Sequence, residues 1–212
     1  MVLVMRRFVT IIIALALMCV GGWFVWTNVM AIDHSEDPAP LPSHTFDDST
    51  VKASGTTPKL APNHISVPSL GINMSYHDSS VVNGTIQPEL QIDDDPKIAV
   101  RWNGSTTRQG SQIFAAHVND RAANLGPLVK INEAVPGTMI YVSDSEGKVE
   151  AYAATSLKAY TKANLDQSIF RAKGKREVHL VTCGGKIVRG SDGLFHHTDN
   201  VVLSGRASPN SL

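Results

Sequence analysis

The sequence predicts a mostly β domain, closed or nearly closed into a barrel, behind one N-terminal membrane-spanning segment. Three observations carry that prediction. From His64 onward, short runs rich in Val, Ile, Tyr and Phe alternate with turn residues, which is the grammar of strands. The best helical window, residues 123–134, is interrupted by Gly126-Pro127. The run from Phe8 to Ala31 holds no charged residue and is long enough to cross a hydrocarbon core of about 30 Å. Composition narrows the rest. Nineteen basic residues balance nineteen acidic ones, so there is no basic field with which to grip nucleic acid. A 42% hydrophobic content argues against a disordered chain. Two cysteines can build neither a disulfide scaffold nor a four-thiolate zinc site.

The N-terminal segment is read first. Arg6 and Arg7 precede the apolar run, while Asp33, Glu36 and Asp37 follow it. The positive-inside rule then puts residues 1–7 in the cytoplasm, residues 8–31 in the lipid of the cell membrane, and the bulk of the chain outside. Trp23 and Trp26 fall near the outer interface, where amphipathic rings gather. A cleaved secretory signal is the rival reading, but its apolar core normally runs only about 7–15 residues. Both readings export the domain. Cys19 lies within the span, so the exported part carries Cys183 alone.

Residues 32–62 carry five prolines and an acidic excess with little periodic apolarity, and are expected to be an extended spacer. The domain proper is expected over 63–206, with a short tail at 207–212. Its strands are predicted around residues 64–77, 109–119, 136–161, 176–185 and 199–205, with a hairpin turn at Ser145-Glu146-Gly147. Six to eight short strands in about 145 residues fit a closed barrel. The triplet Asp93-Asp94-Asp95 is read as a solvated turn, because three consecutive residues of an extended chain cannot all face one ion. No metal or other cofactor is expected.

Chemistry gathers around one thiol. In the run Glu177 to Gly185, Val178, Leu180 and Thr182 share one strand face, and His179, Val181 and Cys183 the other. Cys183 is expected to end the strand, with Gly184 and Gly185 freeing the backbone behind it. A lone Cys is more often a small buried hydrophobe. A nucleophilic one needs a base within hydrogen-bond reach. His179 stands four residues from Cys183, about 13 Å along a strand, which is too far. His196 and His197 are adjacent and point to opposite faces if extended. His117, at the end of the run IFAAHVN, is the strongest candidate, although spacing alone leaves its pairing with Cys183 open.

The order of IFAAHVN, PGTMIYV, HLVTCGG and DNVVL behind an apolar N-terminus resembles a sortase, and within sortases the actinobacterial class F type. The resemblance covers roughly residues 64–206. It implies a closed eight-stranded β-barrel with short helices and a cysteine transpeptidase that cuts Leu-Pro-x-Thr-Gly-like sorting signals on secreted proteins. By the same resemblance, Cys183 is the nucleophile that becomes the acyl-thioester. His117 protonates the leaving amine and deprotonates the incoming one. The acyl group passes to an amine of the cell wall or of another protein, or to water.

The sequence departs from the family at one place. Sortases carry an Arg on the last active-site strand, which in class F stands just before the Asp-Asn pair. Thr198 occupies that position here. Arg189, expected in a loop, is the candidate substitute for stabilising substrate and oxyanion, and His196 or His197 can donate instead. Thr198 keeps open a second reading, a degenerate sortase fold that binds peptide without cleaving it. A third is another exported cysteine enzyme acting on peptidoglycan, against which Thr182 stands where a Gly would precede the nucleophile.

Overall fold

The computed structural model describes residues 43–46, 56–79, 98–102, 109–119, 125–191 and 193–207. Among the described residues nine strands follow one another: β1 (His44–Thr45), β2 (His64–Val67), β3 (Ile72–Ser79), β4 (Ile98–Trp102), β5 (Ser111–Ala115), β6 (Met139–Ser143), β7 (Val149–Thr161), β8 (Glu177–Arg189) and β9 (Phe195–Ala207). Eight of them close in the order β7-β6-β2-β3-β4-β5-β8-β9, because β9 returns to pair with β7. Closure removes the sheet edges that an open sheet would leave unsatisfied. The β3–β4 and β5–β8 pairs are parallel and the other pairs antiparallel. The expected closed eight-stranded barrel is therefore present.

Alternation places the core. Phe114 on β5, Val178 and Leu180 on β8, and Val201 and Leu203 on β9 point inward and are buried. The residues between them face outward. The hairpin at Ser145-Glu146-Gly147 forms as expected, with the Asp144 carboxylate accepting from the N–H groups of Glu146 and Lys148 at 2.9 and 2.8 Å. Among the described residues helix is limited to short 3-10 turns, and the described part of the window 123–134 contributes Ile131–Glu133.

Two boundaries differ from the sequence reading. Residues 44–46 fall inside the expected spacer, yet β1 adds to β7 and Phe46 is buried in the core. A single aromatic side chain with an apolar cleft to fill outweighs a polar, Pro-rich setting. Burying such a side chain contributes roughly 2 kcal/mol. β8 does not end at Cys183 but continues to Arg189, through a register shift between Gly184 and Ile187. Gly185 sits there at φ +78°, a conformation that L side chains rarely adopt, so the glycines bend the strand rather than stop it. Arg189 consequently closes β8 and is cross-strand from Phe195 on β9.

No helix among the described residues is long and apolar enough to cross a membrane. The run 8–31 and the triplet 93–95 lie outside those residues. Ala39 to Leu212 is one compact unit.

Candidate active site

The parallel β5–β8 register builds the site. It pairs Ile113 with His179 and Ala115 with Val181. Continued two residues further along both chains, the same offset sets His117 beside Cys183. Two bonds hold the chains together past the end of β5. Ala116 N donates to Val181 O at 3.1 Å, and the buried Thr182 hydroxyl donates to Ala116 O at 2.9 Å. Neighbouring strands lie about 4.8 Å apart, so side chains at matched positions on one face are in reach of each other. His117 and Cys183 do share a face, the outer one, opposite the inward Ala116 and Leu180. Both are half-buried.

The row extends across the next two strands. Asn200 of β9 is the cross-strand partner of Cys183, and Tyr160 of β7 is the partner of Asn200. His117, Cys183, Asn200 and Tyr160 thus form one line on the outer surface. Behind it run Ala115, Val181 and Val202, an apolar floor. Burial and the neighbouring Asp166 carboxylate raise the Tyr160 phenol pKa, keeping it a hydrogen-bond donor. The loop after β5 returns to the site at Gly126, whose N–H donates to Val118 O at 2.7 Å. A Cβ at Gly126 would collide with the His117 carbonyl oxygen, so only glycine lets this loop close against the histidine.

The remaining titratable groups sort themselves. His179 is excluded from the chemistry by its own environment. It is buried, its ring nitrogens engage Ser204 Oγ at 2.9 Å and Ser111 Oγ at 3.3 Å, and burial depresses its pKa to about 4. His197 is half-buried, with Nε2 3.4 Å from Asn119 Oδ1. Burial lowers its pKa, and the Lys162 ammonium adds to the shift against the opposing Gly185 main chain. Thr198, where the resembled family has Arg, turns its hydroxyl to the strand bend and accepts from Lys186 N at 3.0 Å. Arg189 is exposed, with Nε donating to Gly193 O at 3.4 Å. Six strand residues separate it from Cys183, roughly 20 Å along the chain before allowing for the bend. No cluster among the described residues fits a metal ion. Asn200 and Tyr160 were not singled out from the sequence. Their only signal is a register between distant strands, although Asn200 belongs to the quoted DNVVL run.

Residues 65–207 match the sortase domain family. The chain belongs to the sortase family. Family members are generally cysteine transpeptidases. Solved sortases show the same fold at low identity. Streptococcus suis sortase C1 aligns with a TM-score of 0.51 at 12% identity, over 70% of this sortase and 73% of that chain. Sortase C-1 from Streptococcus pneumoniae aligns at 0.50 and 18%, over 69% and 66%. Sortase C1 of Streptococcus agalactiae aligns at 0.50 and 14%, over 69% and 66%. No curated protein matches this sortase by sequence.

Proposed function

We propose that this chain is an active, membrane-anchored sortase of class F type that cleaves Leu-Pro-x-Thr-Gly-like signals on secreted proteins outside the cell. The observation that supports this reading most is the parallel β5–β8 register, paired as far as Ala115 and Val181, whose continuation by two residues would bring His117 beside Cys183. In this reading the Cys183 thiolate attacks the Thr carbonyl carbon of the signal. The tetrahedral intermediate collapses with rupture of the Thr–Gly bond, and the glycine nitrogen takes a proton from the His117 imidazolium. A thioester remains on Cys183. An amine from the cell wall or another protein, or a water molecule, then attacks it. It loses its proton to His117 and regenerates the thiolate. Asn200 and Tyr160 supply neutral donors along the same row, suited to hold substrate carbonyls. The donor role of the family's Arg falls to His197, which burial favours in its neutral form and which is tied to Asn119, two residues beyond His117, whereas Arg189 stands roughly 20 Å along β8 from Cys183.

Thr198 favours a second reading, in which the groove binds peptide without cleavage. One experiment separates the two. Residues 39–212 are incubated with a Leu-Pro-x-Thr-Gly peptide and followed by intact mass, beside a Cys183→Ala control. An acyl adduct in the wild type alone, discharged by added amine, establishes the transpeptidase. Peptide binding without adduct establishes the degenerate reading.

A further inference from the structure

Beyond the site, β8 and β9 leave the barrel as a two-stranded ribbon. β5 stops pairing with β8 at Val181, and β7 stops pairing with β9 at Asp199. From Ile187 to His197 the two strands pair only with each other. This ribbon carries four of the six large exposed apolar side chains among the described residues: Ile187 (63% exposed), Val188 (46%), Leu194 (63%) and Phe195 (73%). They do not make one patch. Ile187 opposes His197 and Phe195 opposes Arg189, which puts these two apolar residues on one face. Val188 opposes His196 on the other face, and Leu194, next to Phe195, continues that alternation. A folded protein partner covers one face of a ribbon, whereas a fluid apolar medium covers both.

The route of the chain says which medium is near. β1 runs antiparallel to β7, pairing His44 with Leu157 and Thr45 with Ser156. The N-terminal end of β1 therefore points toward the Thr161 end of β7, and the β9 partner of Thr161, Asp199, is the root of the ribbon. Residues 32–43 are all that separate β1 from the apolar run ending at Ala31, a span of at most roughly 40 Å. β1 is thus entered from the end of the barrel at which the ribbon is rooted.

We propose that the ribbon is a membrane-docking element: Ile187, Val188, Leu194 and Phe195 immerse in the interfacial layer of the bilayer, with Lys186 and Arg189 facing anionic headgroups. The inference rests on the reading of residues 8–31 as a membrane span. The tip of the ribbon, where Gly193 N donates to Gly190 O, carries no large apolar side chain, which favours headgroup depth over the hydrocarbon core. Docking would present the row of His117, Cys183, Asn200 and Tyr160 close to the surface at which newly exported proteins emerge.

The test uses the full chain reconstituted into vesicles of phosphatidylcholine and phosphatidylglycerol, with and without acyl chains brominated near the headgroup. Phe195→Trp places the probe on the ribbon, and Leu194→Trp is a second ribbon probe should the first disturb folding. Val135→Trp is the control, because Val135 is also exposed but precedes β6, whose Met139 pairs with Ala153 at the Arg206 end of β9. The unsubstituted chain supplies the background of Trp23, Trp26 and Trp102. Flotation with the vesicles reports the anchor, and bromolipid quenching reports the ribbon. Quenching of the ribbon probe by about twofold, with the control unchanged, is the expected result. A chain that floats while its ribbon probe is unquenched overturns the docking and leaves the anchor standing. A probe whose emission shifts with protein concentration instead of lipid identifies a second copy as the occupant and also overturns it. A chain that does not float overturns anchor and docking together.

Discussion

At the scale of the residue, the site depends on a few hydrogen bonds and burials that fix two side chains relative to each other. His117→Ala should lower kcat/KM by about 10²–10⁴, the usual contribution of a positioned acid–base group, while Cys183→Ala should abolish the acyl adduct. Thr182 is predicted to matter without touching substrate. Thr182→Val removes the bond to Ala116 O, leaves a buried carbonyl unsatisfied, and should destabilise the fold by about 1–3 kcal/mol in urea melts. His179 sets a pH dependence of stability. Its folded pKa, about 4, lies below the ordinary 6.5 because burial disfavours the imidazolium. Between those values the unfolded chain binds the proton and the folded chain does not, so stability falls as pH drops from 6.5 toward 4. The wild type should lose on the order of 3 kcal/mol relative to His179→Gln across that window in paired urea titrations.

At the scale of the element, two glycines decide geometry. Gly126→Ala should push the His117 carbonyl away. Expected is a fall in kcat/KM together with a loss of Tm, since the segment after Gly126 also delivers the buried Leu128 and Ile131 to the core. At Gly185 a Cβ would meet the Asp199 carboxylate and stand 2.5 Å from Thr198 Oγ1, besides the strain of its positive φ. Gly185→Ala should cost about 1–3 kcal/mol and loosen the ribbon, visible as faster amide exchange from Ile187 to His197. Elements were legible in the sequence where period and turn chemistry agreed. The β6–β7 hairpin and the alternation of β8 are instances. The extension of β8 to Arg189 was not legible. Two glycines after a nucleophile read as a strand end, and only the cross-strand partner β9 reveals that they bend it.

At the scale of the whole molecule, the barrel begins earlier than its pattern suggests. A chain starting at residue 60 lacks β1 and the buried Phe46, and should be less stable than residues 39–212 by about 3–5 kcal/mol, the usual cost of emptying a buried Phe site. Urea midpoints of the two fragments check this. By itself, the sequence determined the fold class and the barrel, because strand alternation and turn residues are local features, and it singled out Cys183 as the one thiol outside the apolar N-terminal run. Only the tertiary structure decided that the strands leading to His117 and Cys183 lie side by side, since the two residues are 66 positions apart and the parallel register, paired as far as Ala115 and Val181, is encoded by no local pattern. It likewise decided that Asn200 and Tyr160 complete the row and that Arg189 stands at the far end of a ribbon. Each of those facts is a pairing between distant segments, settled by closure of the barrel around one shared core.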